Sequence, residues 1–406
     1  MKNSQKIGFL GALLLIVSCS TKKDAFLNRN YNALTTQYNI LYNGGVAFNE
    51  GLQEINASYE DDFFELLPIE PLTFKNKKFR LPKLSSSSSN KPGKGFQESP
   101  EQEESLTPFD IAEQKAVKAI QKHSMNIYGK ERNKKIDDAY LLLGKSRYYT
   151  ERFIPAIDAY NYIIANYPNA SLINETKIWR AKAHIRIENE ELAIETMEIL
   201  LRKPELPDFI REEANTTLAM AYTKMDSVQR VRKYLWEATK TSKNTIQKAR
   251  NLFVLGQLYG LDKIKDTASM VFQKLINFKP APYKYKIYAA IELAKNSVSD
   301  SSSTAILERY RKLIKNRDNR PYLDGVYYQV AVLEQERDSI NDAILNYNKS
   351  LRAVNGGAKQ KTYSYEKLAN LYFKDLDYVT AGAYYDSILQ VAKNKQTLRI
   401  KRIERR

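Results

Sequence analysis

A small residue recurs along the chain at Gly144, Ala181, Ala219, Gly256, Ala294, Ala331 and Ala369, at intervals that alternate between 37 and 38 residues. Twelve residues after each comes Ala156, Ala193, Val231, Ala268, Ile306, Ala343 or Ala381. Four further on stands a large apolar residue: Tyr160, Met197, Leu235, Phe272, Tyr310, Tyr347 or Tyr385. The residue just before the small one is Leu143, Leu218, Leu255, Leu293, Val330 or Leu368, with Arg180 the exception, where neighbouring Trp179 is expected to supply the bulk. Two antiparallel helices approach closely only where both carry small side chains, so each period reads as one helix–turn–helix.

That is the tetratricopeptide (TPR) pattern, whose usual period is about 34 residues. The interval of twelve keeps the turn inside each repeat normal and places the surplus between repeats. The expected fold is all-α: a TPR-like α-solenoid of seven repeats, 109–395, stacked as a right-handed superhelix with a concave groove. Only 15 Gly and 13 Pro in 406 residues agree with long helices. The large residue of each repeat is expected to fill the gap to the next.

Three further segments flank the array. Tyr31, Leu34, Tyr38, Leu41 and Tyr42 recur at helical spacing, Gly44-Gly45 interrupts them, and Phe48, Leu52 and Ile55 resume. Residues 19–67 therefore read as a helical hairpin. Residues 68–108, with Ser85–Ser89, a basic block and an acidic block, read as a disordered linker. Phe109, Ala112, Ala116 and Ile120 form an extra helix before the first repeat, and Leu398, Ile400 and Ile403 begin another in a basic stretch, 396–406, that reads as truncated.

The N-terminus sets the compartment. Lys2 and Lys6 precede an apolar run from Ile7 to Val17, too short to span a membrane, so residues 1–18 read as a signal peptide. It runs through Ile16-Val17-Ser18 into Cys19, the only cysteine, in the form of a bacterial lipobox. Cys19 is the expected lipidation site, and acyl chains hold a protein on a bilayer without a spanning helix. The formal charge of +17 becomes 17 − 2 = +15 once Lys2 and Lys6 are removed.

Chemistry is scarce. Gly144-Lys145-Ser146 ends like a phosphate-binding loop, but position 139 is alanine and the segment is helical. The two histidines, His123 and His184, have no metal-ligand spacing, and a single cysteine forms no thiolate cluster. No metal, cofactor, small-molecule substrate or enzymatic activity is expected. The charge and 28 tyrosines would suit nucleic acid, but a lipoprotein outside the cytoplasm seldom meets it, which leaves acidic proteins or anionic headgroups. Residues one, four and five after the small position face a TPR groove. Here they include Lys145, Tyr148, Tyr149, Lys182, Arg186, Lys224 and Lys295, a basic and aromatic set that suits an acidic or extended peptide.

The segments CSTKKDAFLNRNYNALTTQYNILYNGGVAFNEGL, DDFFELLPIE and AIQKHSMNIYGKERNKKIDDAYLLLGKSRYYTERFIPAIDAYNYI resemble the SprE/PorW lipoproteins of gliding or type IX-secreting bacteria. The resemblance covers nearly the whole mature chain. It implies a non-enzymatic outer-membrane TPR lipoprotein, facing the periplasm, that links the translocon to the periplasmic ring and motor. It also implies a longer protein than this chain, and it carries over only Cys19. Two alternatives are a BamD-like assembly lipoprotein, normally about half this length, and a SusD-like glycan-binding lipoprotein. The second needs aromatic platforms, whereas the chain's two tryptophans, Trp179 and Trp236, fall on repeat helices.

Overall fold

The computed structural model describes residues 20–72, 106–296, 302–395 and 397–405. The expected signal peptide, lipidated Cys19 and most of the expected linker lie outside them. The described residues form an all-α, TPR-like solenoid of seven helix–turn–helix repeats. The chain divides into two compact units: one takes the chain up to Glu60 together with Glu70–Glu205, the other Asp61–Ile69 together with Leu206 onward.

The first unit holds repeats one and two, Ile136–Tyr149 with Phe153–Asn166 and Ile173–Arg186 with Glu190–Leu201. Repeats three to seven make the second: Asp208–Lys224 with Val228–Ala238, Thr245–Leu261 with Lys265–Asn277, Tyr283–Asn296 with Ser303–Lys315, Leu323–Glu336 with Ile340–Arg352, and Ala358–Lys374 with Tyr378–Val391. Leu398–Glu404 follows, its Ile400 and Ile403 buried against Ala381, Tyr385 and Ile388.

The backbone marks the register independently. Glu151, Glu188, Asp226, Lys263, Asp338 and Leu376 all adopt positive φ, between 52° and 65°. Each stands seven residues after a small residue, in the left-handed conformation that lets the chain reverse between helices.

The large residue of a repeat packs on the small residue of its own first helix and also joins the core of the next repeat, as Tyr160 does with Ala183, Tyr310 with Val326 and Val330, and Tyr347 with Leu368 and Leu371. A Cβ on Gly256 would lie 2.5 Å from Cε1 of Phe272, and one on Gly144 would strike the Tyr160 ring. Both rings are fully buried. Gly256→Ala is therefore expected to destabilise by about 1–3 kcal/mol, with partial recovery on adding Phe272→Leu, measured by urea unfolding. Additive losses would show that the two positions do not meet.

The expected N-terminal hairpin is corrected. Phe26–Thr35, a π-helical segment Thr36–Leu41 and Tyr42–Ser58 follow one another without a reversal, and helical dihedrals run through both junctions. Gly44 does not break the helix but lets it approach its neighbour: a Cβ there would lie 2.8 Å from Leu142 and 3.1 Å from Lys115. One turn pair later Gly51 abuts the Phe109 ring. The partner is Pro108–His123, which starts with a capping box between Thr107 and Asp110 and buries Phe109, Ala112, Ala116 and Ala119.

The π segment is tied down by polar contacts. Thr36 donates to the Asn32 carbonyl at 2.6 Å, Asn133 donates to Thr36 Oγ1 at 3.0 Å, and His123 Nδ1 lies 2.9 Å from Asn32 Oδ1. Burial, with Lys122 and Lys118 nearby, lowers the His123 pKa. Among the described residues no helix is long and apolar enough to cross a membrane.

Candidate functional site

In each unit, first helices of some of the repeats contact part of DDFFELLPIE, which splits between the units. Asp61–Ile69 belongs to the second and Glu70 to the first.

In the first unit, the Glu70 carboxylate is surrounded by three of the expected groove residues. Tyr148 donates to Glu70 Oε2 at 2.7 Å, Arg186 donates to the same oxygen, and Lys182 Nζ lies 3.8 Å from Oε1. Arg186 Nε also donates to the Tyr148 oxygen at 2.9 Å. Burial, reinforced by the Glu70 charge, holds the Tyr148 phenol well above its ordinary range. Trp179 closes the floor, with the Lys182 ammonium 4.8 Å and the Lys145 ammonium 5.2 Å from its ring centre. It lines the site and also packs against the core cluster that holds Tyr148, Tyr160 and Ala183, which is the bulk expected of it, while neighbouring Arg180 donates to Asn161 at 3.0 Å.

The other expected residues do different things. Lys145 is paired with Glu175, and Tyr149 stacks on Phe109 with centroids 4.9 Å apart. Lys224 and Lys295 are exposed and make none of these contacts. Since Glu70 is the shared acceptor of a nearly buried set, Glu70→Gln is expected to cost about 1.5–3 kcal/mol, read from the urea unfolding of the first unit. An unchanged midpoint would mean that the cluster is solvated.

In the second unit, Asp61–Ile69 forms a hook. Asp62 Oδ1 accepts from the Phe64 amide at 3.2 Å and its carbonyl from the Glu65 amide at 3.2 Å, which folds the tip into a tight turn. Arg250 clamps both legs. It pairs with Asp61, the two side chains being 3% and 2% exposed, and donates to the Pro68 carbonyl at 2.8 Å. Lys284 reaches Asp61 from the solvent side at 2.8 Å. Gln257 reads the backbone, accepting from the Leu67 amide at 3.0 Å and donating to the Glu65 carbonyl at 2.8 Å, and Gln247 donates to the Ile69 carbonyl at 3.0 Å.

The two phenylalanines enter an aromatic cage. Phe63 stacks on Tyr288 with centroids 3.9 Å apart and meets Phe253 edge-on at 5.2 Å. Phe64 sits against Tyr328 at 4.9 Å and Tyr363 at 5.4 Å. The Tyr363 hydroxyl donates to Asp62 at 2.8 Å and lies 3.0 Å from a Glu65 carboxylate oxygen. Burial pushes the Asp62 carboxyl up, partly offset by that hydrogen bond and by Lys359. Leu67 and Ile69 are buried in their turn, so the first residues of the expected disordered linker are ordered.

Gln247, Arg250, Phe253, Gln257, Lys284, Tyr288, Tyr328 and Tyr363 went unmarked in the sequence, although a signal for them exists. Gln247 and Tyr285 lie nine residues before the small residue, Arg250, Tyr288 and Tyr363 six before, Phe253 and Tyr328 three before, and Gln257 one after. This is the same helical face that carries Lys182 and Arg186, extended toward the N-terminus by three turns. Among the described residues no group of three His, Cys, Asp or Glu is placed to hold a metal ion.

No family model matches the chain and no curated protein matches it. Among solved structures it is similar to the human IFIT1 dimer with PPP-AAAA, at 14% identity and TM-score 0.39, covering 73% of this chain and 68% of that one. The human IFIT1 dimer with m7Gppp-AAAA gives 14% and 0.36, covering 71% and 69%. The TPR2AB domain of yeast Sti1 in complex with pHSP90 gives 17% and 0.26, covering 67% and 96%.

Proposed function

We propose that the chain is a non-enzymatic scaffold that binds proteins through the first-helix faces of its TPR repeats, held on the outer membrane by acylation of Cys19. The observation that carries the binding role is the second unit's hold on Asp61–Ile69, in which charge pairs, backbone hydrogen bonds and an aromatic cage converge on a short peptide segment. Placement in the type IX secretion and gliding machinery, between translocon and periplasmic ring or motor, rests on the sequence resemblance. DDFFELLPIE, one of the segments that carry that resemblance, is the one seated on the repeats. The test is deletion of the gene, with complementation by the native chain and by Cys19→Ala. Loss of secreted cargo and of gliding, restored by the native chain and not by Cys19→Ala, is the expected result. Normal export in the deletion strain would overturn the placement.

A further inference from the structure

We propose that Asp61–Ile69 is a tethered ligand that occupies a docking site in the second unit, and that the site's partner is a protein segment presenting the same chemistry: two acids, two adjacent aromatic rings and a further acid folded into a tight turn. The inference rests on the binding role proposed above and adds what is bound and what must first leave.

Three observations carry it. The inner contact of each repeat does not involve the hook: the Phe272 ring packs on Gly256, and Ala294, Tyr310, Ala331, Tyr347, Ala369 and Tyr385 are buried, with Phe64 added against the cluster of Tyr328 and Tyr347. The hook is held instead by side chains along the first-helix line, positioned as side chains that read a ligand would be. Its recognition is also divided as in a peptide site. Backbone groups of Glu65, Leu67, Pro68 and Ile69 are met by Gln257, Arg250 and Gln247, which fixes the path of the segment regardless of side chain. Specificity comes from the cage around Phe63 and Phe64 and from the cations at Asp61. A segment lacking the first acid would leave Arg250 buried without its counter-charge, and one lacking the rings would leave Tyr288 and Tyr328 uncovered.

The attachment also explains how occupancy is controlled. A tethered segment acts at an effective concentration on the order of millimolar, so a free peptide of equal intrinsic affinity is held off until the hook is weakened or the partner offers more contacts.

The probe is a fluorescein-labelled peptide of residues 60–69, added to the full mature chain. Four chains are compared: unaltered, Phe63→Ala with Phe64→Ala in the hook, Gln257→Ala with Lys284→Ala in the site, and the two pairs combined. The hook variant is expected to bind the peptide at least tenfold more tightly than the unaltered chain, and the combined variant at least tenfold more weakly than the hook variant. A peptide with both aspartates changed to lysine is expected not to bind. Equal binding by the unaltered and hook-variant chains would overturn the tethered-ligand inference while leaving the binding surface standing. Absence of binding by every chain at about 1 mM peptide would overturn both. Should the hook variant not fold, hydrogen exchange on the unaltered chain decides, using a 13C,15N-labelled peptide to separate the masses. Faster exchange at the Phe64 and Leu67 amides under excess peptide supports displacement, and unchanged protection overturns it.

Discussion

Asp61→Ala is expected to destabilise the second unit by about 3–5 kcal/mol, because it leaves the Arg250 guanidinium buried without its carboxylate. Lys284→Ala removes the other partner of the same carboxylate, but its side chain is 42% exposed and the loss is expected to stay below about 1 kcal/mol. Hydrogen exchange across residues 245–374 in increasing urea reads the effect on the second unit by itself. Two cations seen by one acid would thus differ in weight solely through their distance from water. Equal losses for Asp61→Ala and Lys284→Ala would show that the hook is solvated and that Arg250 finds water when the acid is gone.

The second large effect is alkaline. Burial pushes the phenols of Tyr140 and Tyr328 up to about 12, and those of Tyr148 and Tyr160 well above the ordinary value near 10. The folded chain therefore keeps protons that the unfolded chain gives up. The associated stability is complete below pH 10 and is lost as pH rises through the folded values. Each buried phenol forfeits about 1.4 kcal/mol per pH unit over that interval. A few such groups exceed a typical net stability of about 5–15 kcal/mol, so helicity is expected to hold to pH 9.5 and collapse cooperatively before pH 12. Circular dichroism and phenolate absorbance, followed together, should move in step. Smooth phenolate formation with helicity intact at pH 12 would refute the assignment.

The repeat array could be read from sequence because close helix approach leaves one steric demand per repeat, and Gly144 through Ala369 meet it at fixed spacing. The glycine pair at 44–45 misled for a physical reason. A helix-interior glycine costs about 1 kcal/mol relative to alanine, and only the facing Leu142, absent from any local window, shows what the close approach returns. The site divides in the same manner. Tyr148, Lys182 and Arg186 were found because they follow the small residue directly, whereas Arg250, Tyr288 and Tyr363 lie on the same face two turns before it. The occupant was beyond local reading altogether. DDFFELLPIE is conspicuous as a string, but its partners stand far downstream and no periodicity links them to it.

That separation has a consequence for biosynthesis. Leu67 is 190 residues from Gln257, and Asp62 is 301 from Tyr363. Translation proceeds at about 5–20 residues per second, so Phe63 and Phe64 wait roughly 10–60 s for the helices that cover them. Throughout that interval a nascent chain displays two adjacent aromatic rings before the helices that receive them are made, and the acids on either side, Asp61, Asp62 and Glu65, oppose the association of that stretch with its neighbours.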